Sequence, residues 1–404
     1  MDAKTAFLNG KIDEDLFIEI PEGVEIDEAD VKHLGIGTLE EAKNLDLVCK
    51  LEKSMYGTKQ APRCWNMKIN SVLSGELGFQ RAEGDPCLYV KHEANGVMII
   101  ALYVDDLLLA AKSRSQILWM KNMLNERFEM KDLGEARVCL GLEITRDRNR
   151  RKLHLSQQAY IKTIVERFGM SHSKPFATPM EEPKSMEERL EYVSDQDKDA
   201  INVPYREAIG SLMYLMIGTR PDIAYSVCKL ARFCEIPKWK HWLSVKRVLR
   251  YIHGTSNMGL LYDLKEGTGV YGYSDSDWAG DVGDRKSTSA YVFMMSNAAI
   301  SWCSRKQSIV ATSSCEAEYV ALSMTCKEAV WLKRLLSDIP IQCDLTKGMR
   351  VFTDSQSAMK LGTNESINRR NKHIDITHHY VREATSMGRL PCCMYQLRRW
   401  LLIC

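Results

Sequence analysis

The sequence predicts a mixed α/β (α+β) chain built from more than one domain. Three observations carry that expectation. Residues 97–111 (VMIIALYVDDLLLAA) hold two apolar runs either side of an acidic pair, the pattern of a hairpin. Stretches near 115–128, 156–168 and 205–252 space their apolar residues as helices do. After Gly267–Gly269, short strands are followed by a long helix and another strand, the order of a compact α/β domain. A chain of 404 residues is long enough for two or three cores.

In order along the chain, strands are expected at Val97–Val104 and Leu107–Ala111, meeting at Asp105–Asp106. A helix follows from Ser115, its apolar residues being Ile117, Leu118, Met120, Met123, Leu124 and Phe128. Ser156 is the expected cap of a second helix, SQQAYIKTIVERF, with Tyr160, Ile161, Ile164, Val165 and Phe168 on one stripe. Pro175, Pro179 and Pro183 break the periodicity ahead of an acidic run and mark a linker. The pattern turns helical again from Tyr205 to Ile252. There PKWKHWLSVKRVLRYIHGT sets an apolar stripe (Trp242, Val245, Leu249, Ile252) beside Lys238, Lys240, Lys246, Arg247 and Arg250. Such a face either lies along a phosphate backbone or is simply solvated. Strands are then expected at VYGYSD, SAYVFMM, AISWCS and SIVATSS, a helix at CEAEYVALSMTCKEAVWLKRLL and a strand at MRVFTD.

The net charge of +2 hides an imbalance: residues 181–200 carry −5, leaving +7 on the remainder, compatible with a polyanionic partner. Thirteen scattered cysteines, an odd number without a CxxC pair, read as reduced intracellular thiols and not as a disulfide frame or zinc site. MDAKTAF lacks the basic and apolar segments of a signal peptide. The apolar run 97–111 is too short to span a bilayer and holds two Asp. A soluble chain without a membrane partner is expected.

An isolated Asp pair in a turn is ordinarily an exposed turn. Here apolar runs on both sides would hold Asp105 and Asp106 against a core, where crowded carboxylates repel and their pKa values rise unless cations neutralise them. Mg²⁺ suits such a pair, and two ions can clamp the entering and leaving oxygens of a phosphoryl transfer. Asp2, ahead of an apolar, aromatic-containing run, is the candidate third carboxylate.

The ordered set DAKTAFLNG, KSMYGTKQAPRCW, YVDD and MKDLGEARVCLGLEITRDR resembles the reverse transcriptase of copia-type LTR retrotransposons. YREAIGSLMYLMIGTRPDIAYSV, HWLSVKRVLRYIHGT, GYSDSDWAGDVGDRKSTSAYVF and SSCEAEYVALSMTCKEAVWLKRLL resemble the rest of that Pol polyprotein through its RNase H domain, so the resemblance runs from Asp2 to about Gly388. It implies a polymerase palm with a helical thumb and connection, then an RNase H-like α/β domain. The implied boundaries are 1–171 for the palm and start of the thumb and 172–204 for the acidic linker. The connection would span 205–257, the RNase H-like domain 258–390, and a divergent tail 391–404.

By the same resemblance Asp2, Asp105 and Asp106 are the polymerase's catalytic metal ligands. Phe7 would pack under the incoming sugar or be simply a core aromatic, Gln60 would lie near nucleotide and template, and Arg63 would contact phosphate or sit on a surface. Asp275, Glu318, Asp354 and Asp375 are the four carboxylates of the RNase H site, with Asp277 a close competitor of Asp275. His373 would assist product release or proton transfer, or simply sit on the surface, the reading its residue type favours, and Ser355 and Gln356 would reach the hybrid's minor-groove side.

The implied activities are RNA-directed DNA polymerase and ribonuclease H, with two Mg²⁺ (or Mn²⁺) ions per site. The implied partners are an RNA template, a DNA primer, RNA–DNA hybrid, dNTPs and other Pol or Gag segments. The setting would be intracellular, in a cytoplasmic particle or the nucleus. Thr58 stands where the family usually has Leu. The family has a fingers region ahead of its first motif, so a start at Met1–Asp2 implies a crippled polymerase whose Asp2 lacks a supporting strand. The tail PCCMYQLRRWLLIC departs from the family pattern of a strand and a helix. Both ends imply a fragment, for which the alternative function is a catalytically silent remnant that still binds hybrid. An unrelated metal phosphatase would explain the carboxylates but not KQAPR.

Overall fold

The computed structural model describes residues 1–24, 26–35, 38, 40–41, 47–181, 202–281, 283–339, 349–363 and 394–396. The chain is mixed α/β and divides into two compact units, Met1–Glu135 and Ala136–Cys404. Among the described residues no helix is long and apolar enough to cross a membrane.

The first unit is a six-stranded sheet. Its strands run in the order Gln80–Arg81, Leu88–Glu93, Gly96–Tyr103, Asp106–Ala111, Asp2–Ala3 and Met130–Lys131. Alternation does the sorting in the strand Gly96–Tyr103: Met98, Ile100 and Leu102 are buried while their neighbours are not. The helix Ala61–Asn70 brings Trp65 and Ile69 under that face, and Arg114–Asn125 adds Met120 and Leu124. The latter helix starts in a capping box, Ser113 accepting from the Gln116 amide while Gln116 accepts from the Ser113 amide, each at 3.2 Å. Leu118, expected on its apolar stripe, points to solvent at 49% exposure.

Two expectations are corrected in this unit. The hairpin turn is Val104–Asp105, so Asp106 lies within a strand, paired with Tyr103 and Asp2. Asp2 is not without a strand either: Asp2–Ala3 is hydrogen-bonded between Asp106–Ala111 and Met130–Lys131. A two-residue strand has no periodicity to read; its partners define it.

The second unit holds a helical core, made by the helices Gln158–Arg167, Tyr205–Gly218, Ala224–Ala231 and Trp239–Gly254. The expected stripe Trp242, Val245, Leu249 and Ile252 is buried in it. Ser156 does not cap the first of these helices. It ends the strand Lys152–Ser156, and the amide of Ala159 donates instead to Glu143 Oε1 at 2.6 Å from the neighbouring strand. That strand, Leu142–Asp147, belongs to a four-stranded sheet with Val138–Cys139, Lys152–Ser156 and Leu260–Asp263.

The unit's other sheet runs Ala298–Lys306, Thr288–Met295, Tyr271–Ser276, Arg350–Thr353 and Met394–Gln396. The first three pair antiparallel and the last three parallel. The tail, expected to depart from a strand pattern, supplies the fifth strand through Met394–Gln396. SIVATSS forms no strand: Ile309 and Val310 are exposed, and Thr312 donates through its amide and hydroxyl to Glu316 Oε2, both at 2.7 Å, turning the chain into the next helix. That helix, Ser314–Asp338, is capped by Ser313 and packs Leu322, Cys326, Ala329 and Leu332 on the sheet. Gly272 lies opposite Phe293, whose ring would come within 2.5 Å of any added Cβ, so only glycine fits there.

Candidate active sites

In the first unit the sheet brings Asp2 and Asp106 face to face. Main-chain hydrogen bonds of 2.8 Å run both ways between Met1 and Leu107, which leaves Asp2 and Asp106 as the close, non-hydrogen-bonded cross-strand pair. Like charges directly opposite are unfavourable unless compensated, and Lys131 flanks Asp2 on its other side. Asp105 sits in the turn, and its carbonyl accepts from the Ala3 amide at 2.8 Å. All three Asp are half-buried.

The turn itself is held from below. Val104 has φ 55°, a left-handed conformation that a β-branched residue rarely adopts. Its carbonyl accepts from the indole Nε1–H of buried Trp65 at 2.6 Å. Nothing in the sequence reading singled out Trp65, although it stands in the same KQAPRCW motif as Gln60 and Arg63.

Phe7 is half-buried in the turn of 3-10 helix Ala6–Asn9, with its ring 4.7 Å from that of Tyr56. Its carbonyl accepts from the hydroxyl of buried Ser54, which ties DAKTAFLNG to KSMYGTKQAPR. Gln60 Nε2 donates to Glu14 at 2.9 Å, and Arg63 pairs with Asp13 at 2.5 Å. Both side chains are therefore engaged with carboxylates. Exposed pairs of this kind are weak and displaceable.

In the second unit Asp275, Glu318 and Asp354 converge. Each offers an oxygen, and these atoms lie within 4.8 Å of one another; among the described residues this is the one His/Cys/Asp/Glu group so tightly drawn. Asp2, Asp105 and Asp106 do not form one. Topology explains the convergence. Asp275 is near the carboxyl end of Tyr271–Ser276 and Asp354 directly follows Arg350–Thr353, the adjacent parallel strand. Glu318 comes from the first turns of the helix packed over Tyr271–Ser276 and Thr288–Met295. Asp277 is engaged elsewhere, its Oδ1 accepting from the Thr288 amide at 2.7 Å. Asp375 and His373 lie outside the described residues. Ser355 starts the turn into the helix Gln356–Thr363, its hydroxyl accepting from the Ala358 amide at 3.2 Å.

Crowding shows in the electrostatics. Burial, then the Asp275 and Asp354 charges, push Glu318 up to about 8. Burial and Asp275 also raise Asp354. Glu318 Oε2 is buried with no hydrogen-bond partner, a costly state for a carboxylate. Three oxygens crowded together, one of them orphaned, are a donor set that fits a divalent cation.

Gln307 holds this corner together and was missed by sequence reasoning. Its buried Nε2 donates to the carbonyl of Ala317 at 2.9 Å, to Ser289 Oγ at 2.8 Å and to Ser276 Oγ at 3.3 Å. It thus fastens the helix start carrying Glu318 to the strand carrying Asp275. A lone Gln in RKQS carries no signal of such a role.

Residues 1–182 match the family model for "Reverse transcriptase (RNA-dependent DNA polymerase)". Over 385 residues the chain is 42% identical to the retrovirus-related Pol polyprotein from transposon TNT 1-94 of Nicotiana tabacum, covering 95% of this chain and 28% of that polyprotein. It is 35% identical over 329 residues to the putative transposon Ty5-1 protein of Saccharomyces cerevisiae, covering 81% of this chain and 100% of that one. A solved structure of the foamy viral protease–reverse transcriptase in complex with double-stranded DNA is 11% identical with a TM-score of 0.21, over 87% of this chain and 53% of that one.

The family match sets the first 182 residues among reverse transcriptases. The chain belongs to the Pol polyproteins of copia-type LTR retrotransposons. It spans about a quarter of the length (28%) of the Nicotiana tabacum polyprotein.

Proposed function

We propose that the chain carries the RNA-directed DNA polymerase and ribonuclease H activities of its element, each using two Mg²⁺ or Mn²⁺ ions. The observation that carries the nuclease half is the Asp275, Glu318 and Asp354 cluster with its orphaned Glu318 oxygen. The proposed domains keep the boundaries 1–171, 172–204, 205–257, 258–390 and 391–404. The proposed substrates are an RNA template, a DNA primer, dNTPs and RNA–DNA hybrid.

In the nuclease site Asp275, Glu318 and Asp354 would hold the ions, with Asp375 the proposed fourth ligand. In the palm Asp2, Asp105 and Asp106 would do so. When bound there, divalent cations supply charge neutralisation at the reacting phosphate and, in the nuclease, an activated water. The chain's own residues do the positioning. Parallel strands set the spacing of Asp275 and Asp354, Gln307 fixes the helix that carries Glu318, and Trp65 fixes the Val104–Asp105 turn. Arg63 and Gln60 would exchange Asp13 and Glu14 for substrate.

The test is cleavage of RNA in an RNA–DNA hybrid by the 404-residue chain with Mg²⁺ or Mn²⁺. Asp354→Asn and Glu318→Gln should each lose several orders of magnitude in rate, since ion positioning supplies most of the charge stabilisation. A folded chain that cuts no hybrid with either ion, or cuts equally well in both variants, overturns the nuclease assignment. Primer extension on RNA serves for the palm, where Asp105→Asn or Asp106→Asn should abolish whatever extension the chain supports.

A further inference from the structure

The outer face of the helix Trp239–Gly254 carries a second feature. Trp239, Leu243, Lys246, Arg247 and Arg250 follow one another at helical spacings of i, i+4, i+7, i+8 and i+11, on one side. The adjoining side is the buried stripe through Trp242 and Leu249. Against the outer face lies the segment Met170–Phe176, and between them runs an open groove of about 440 Å³.

Four cations line it: Lys174, Lys246, Arg247 and Arg250. The guanidinium carbons of Arg247 and Arg250 stack on the Phe176 ring at 4.3 and 3.8 Å. Lys246 stands 5.5 Å from the Trp239 ring and 5.6 Å from that of Trp242. Arg250 is aimed by a 2.5 Å bond from its Nε to the Lys174 carbonyl.

Compensation is sparse. Arg247 pairs with Glu181 at 2.7 Å, and its Nε is buried without a partner. Lys174, Lys246 and Arg250 have no carboxylate partner among the described residues. A solvated helix face would leave its cations apart and its aromatics inside. Here cations are gathered over aromatic rings, and Trp239 and Leu243 stay 41% and 47% exposed beside them. Fixed positive charge in a groove with apolar walls is complementary to a row of phosphates.

We propose that this groove binds the sugar-phosphate backbone of an RNA–DNA hybrid, with Lys174, Lys246 and Arg250 reaching its phosphates. The choice of hybrid rests on the nuclease reading above; the phosphate chemistry rests on the groove alone.

The test is a salt titration of hybrid binding by fluorescence anisotropy, using the 404-residue chain with Asp354→Asn so that the substrate survives. Adding Lys174→Ala and Lys246→Ala should weaken binding and make the slope of log K against log[salt] shallower by about 2, one for each phosphate no longer neutralised. Lys174→Gln with Lys246→Gln, which keeps the side-chain stems, should do the same. An unchanged slope and affinity in both pairs overturns the groove as a binding site. Hybrid cleavage by the chain without these substitutions separates the two ideas. Cleavage with an unchanged slope sinks only the groove; a shallower slope without cleavage sinks only the nuclease; no hybrid binding at any salt sinks both.

Discussion

The indole N–H of Trp65 donates to the carbonyl of Val104 at 2.6 Å, joining the helix Ala61–Asn70 to the Asp-bearing hairpin turn. The bond closes on a residue with φ 55°, where a β-branched side chain is strained by about 1–2 kcal/mol. Trp65 thus offsets the cost of a backbone shape that carries Asp105 and sets the start of the strand at Asp106.

Trp65→Phe should lower stability by about 1–2 kcal/mol through the broken hydrogen bond, beyond any packing change. In a Val104→Gly background, where the left-handed conformation is no longer strained, the same substitution should cost less. Urea unfolding of the two single variants and the double variant measures the coupling. Additivity within about 0.3 kcal/mol would mean that indole and turn are independent.

Gly10 predicts a different kind of intolerance. Its φ of −81° suits any residue, but a Cβ there would sit 2.8 Å from both the carbonyl carbon and the Cβ of Cys64. Gly10→Ala should cost about 1–3 kcal/mol by overpacking. Cys64→Gly should recover only part of it, because the main-chain clash remains. Full stability of Gly10→Ala in thermal unfolding would show that the two segments can separate freely.

The hairpin and the carboxylates were legible because each has a local signature. Met98, Ile100 and Leu102 alternate, and Asp275 and Asp354 each sit at the end of a readable strand. What escaped is set by distant partners. Asp2–Ala3 is a strand only because two others flank it, and the helix at Gln158 is capped by Glu143 from a neighbouring strand. SIVATSS has strand composition but no buried face to use it on, and Gln307 acts entirely across the fold.

Arg220 is a further example, hidden in a stretch that read simply as helical. Only 1% exposed, it donates to both oxygens of Asp222 and to the carbonyl and hydroxyl of Thr255, while Tyr251 donates to Asp222 at 2.8 Å. Breaking such a pair leaves a buried charge without its partner. Asp222→Ala should cost about 3–5 kcal/mol, and Arg220→Lys, which cannot reproduce the planar fork, should be clearly destabilising too. Chemical denaturation distinguishes this from a surface pair, whose removal would cost under about 1 kcal/mol.

The last prediction concerns Glu318 without metal. Its pKa, pushed up to about 8 from an ordinary 4.5 by burial and by Asp275 and Asp354, means that the folded chain binds this proton more tightly than the unfolded chain does. Stability must then fall as pH rises from about 4.5 towards about 8, at about 1.4 kcal/mol per unit of the interval. In EDTA, Glu318→Gln should have little effect near pH 4.5 and should raise the unfolding midpoint at pH 8, because the amide cannot ionise. Mg²⁺ should reverse the order at pH 8: it stabilises the chain with Glu318, by binding only the folded state, and does much less for Gln. Differential scanning calorimetry at the two pH values, with EDTA and with Mg²⁺, reads all four conditions. A Glu318→Gln midpoint that tracks the parent chain across pH in EDTA would show that the carboxyl is not crowded. Equal Mg²⁺ shifts in both chains would remove Glu318 from the proposed ion site.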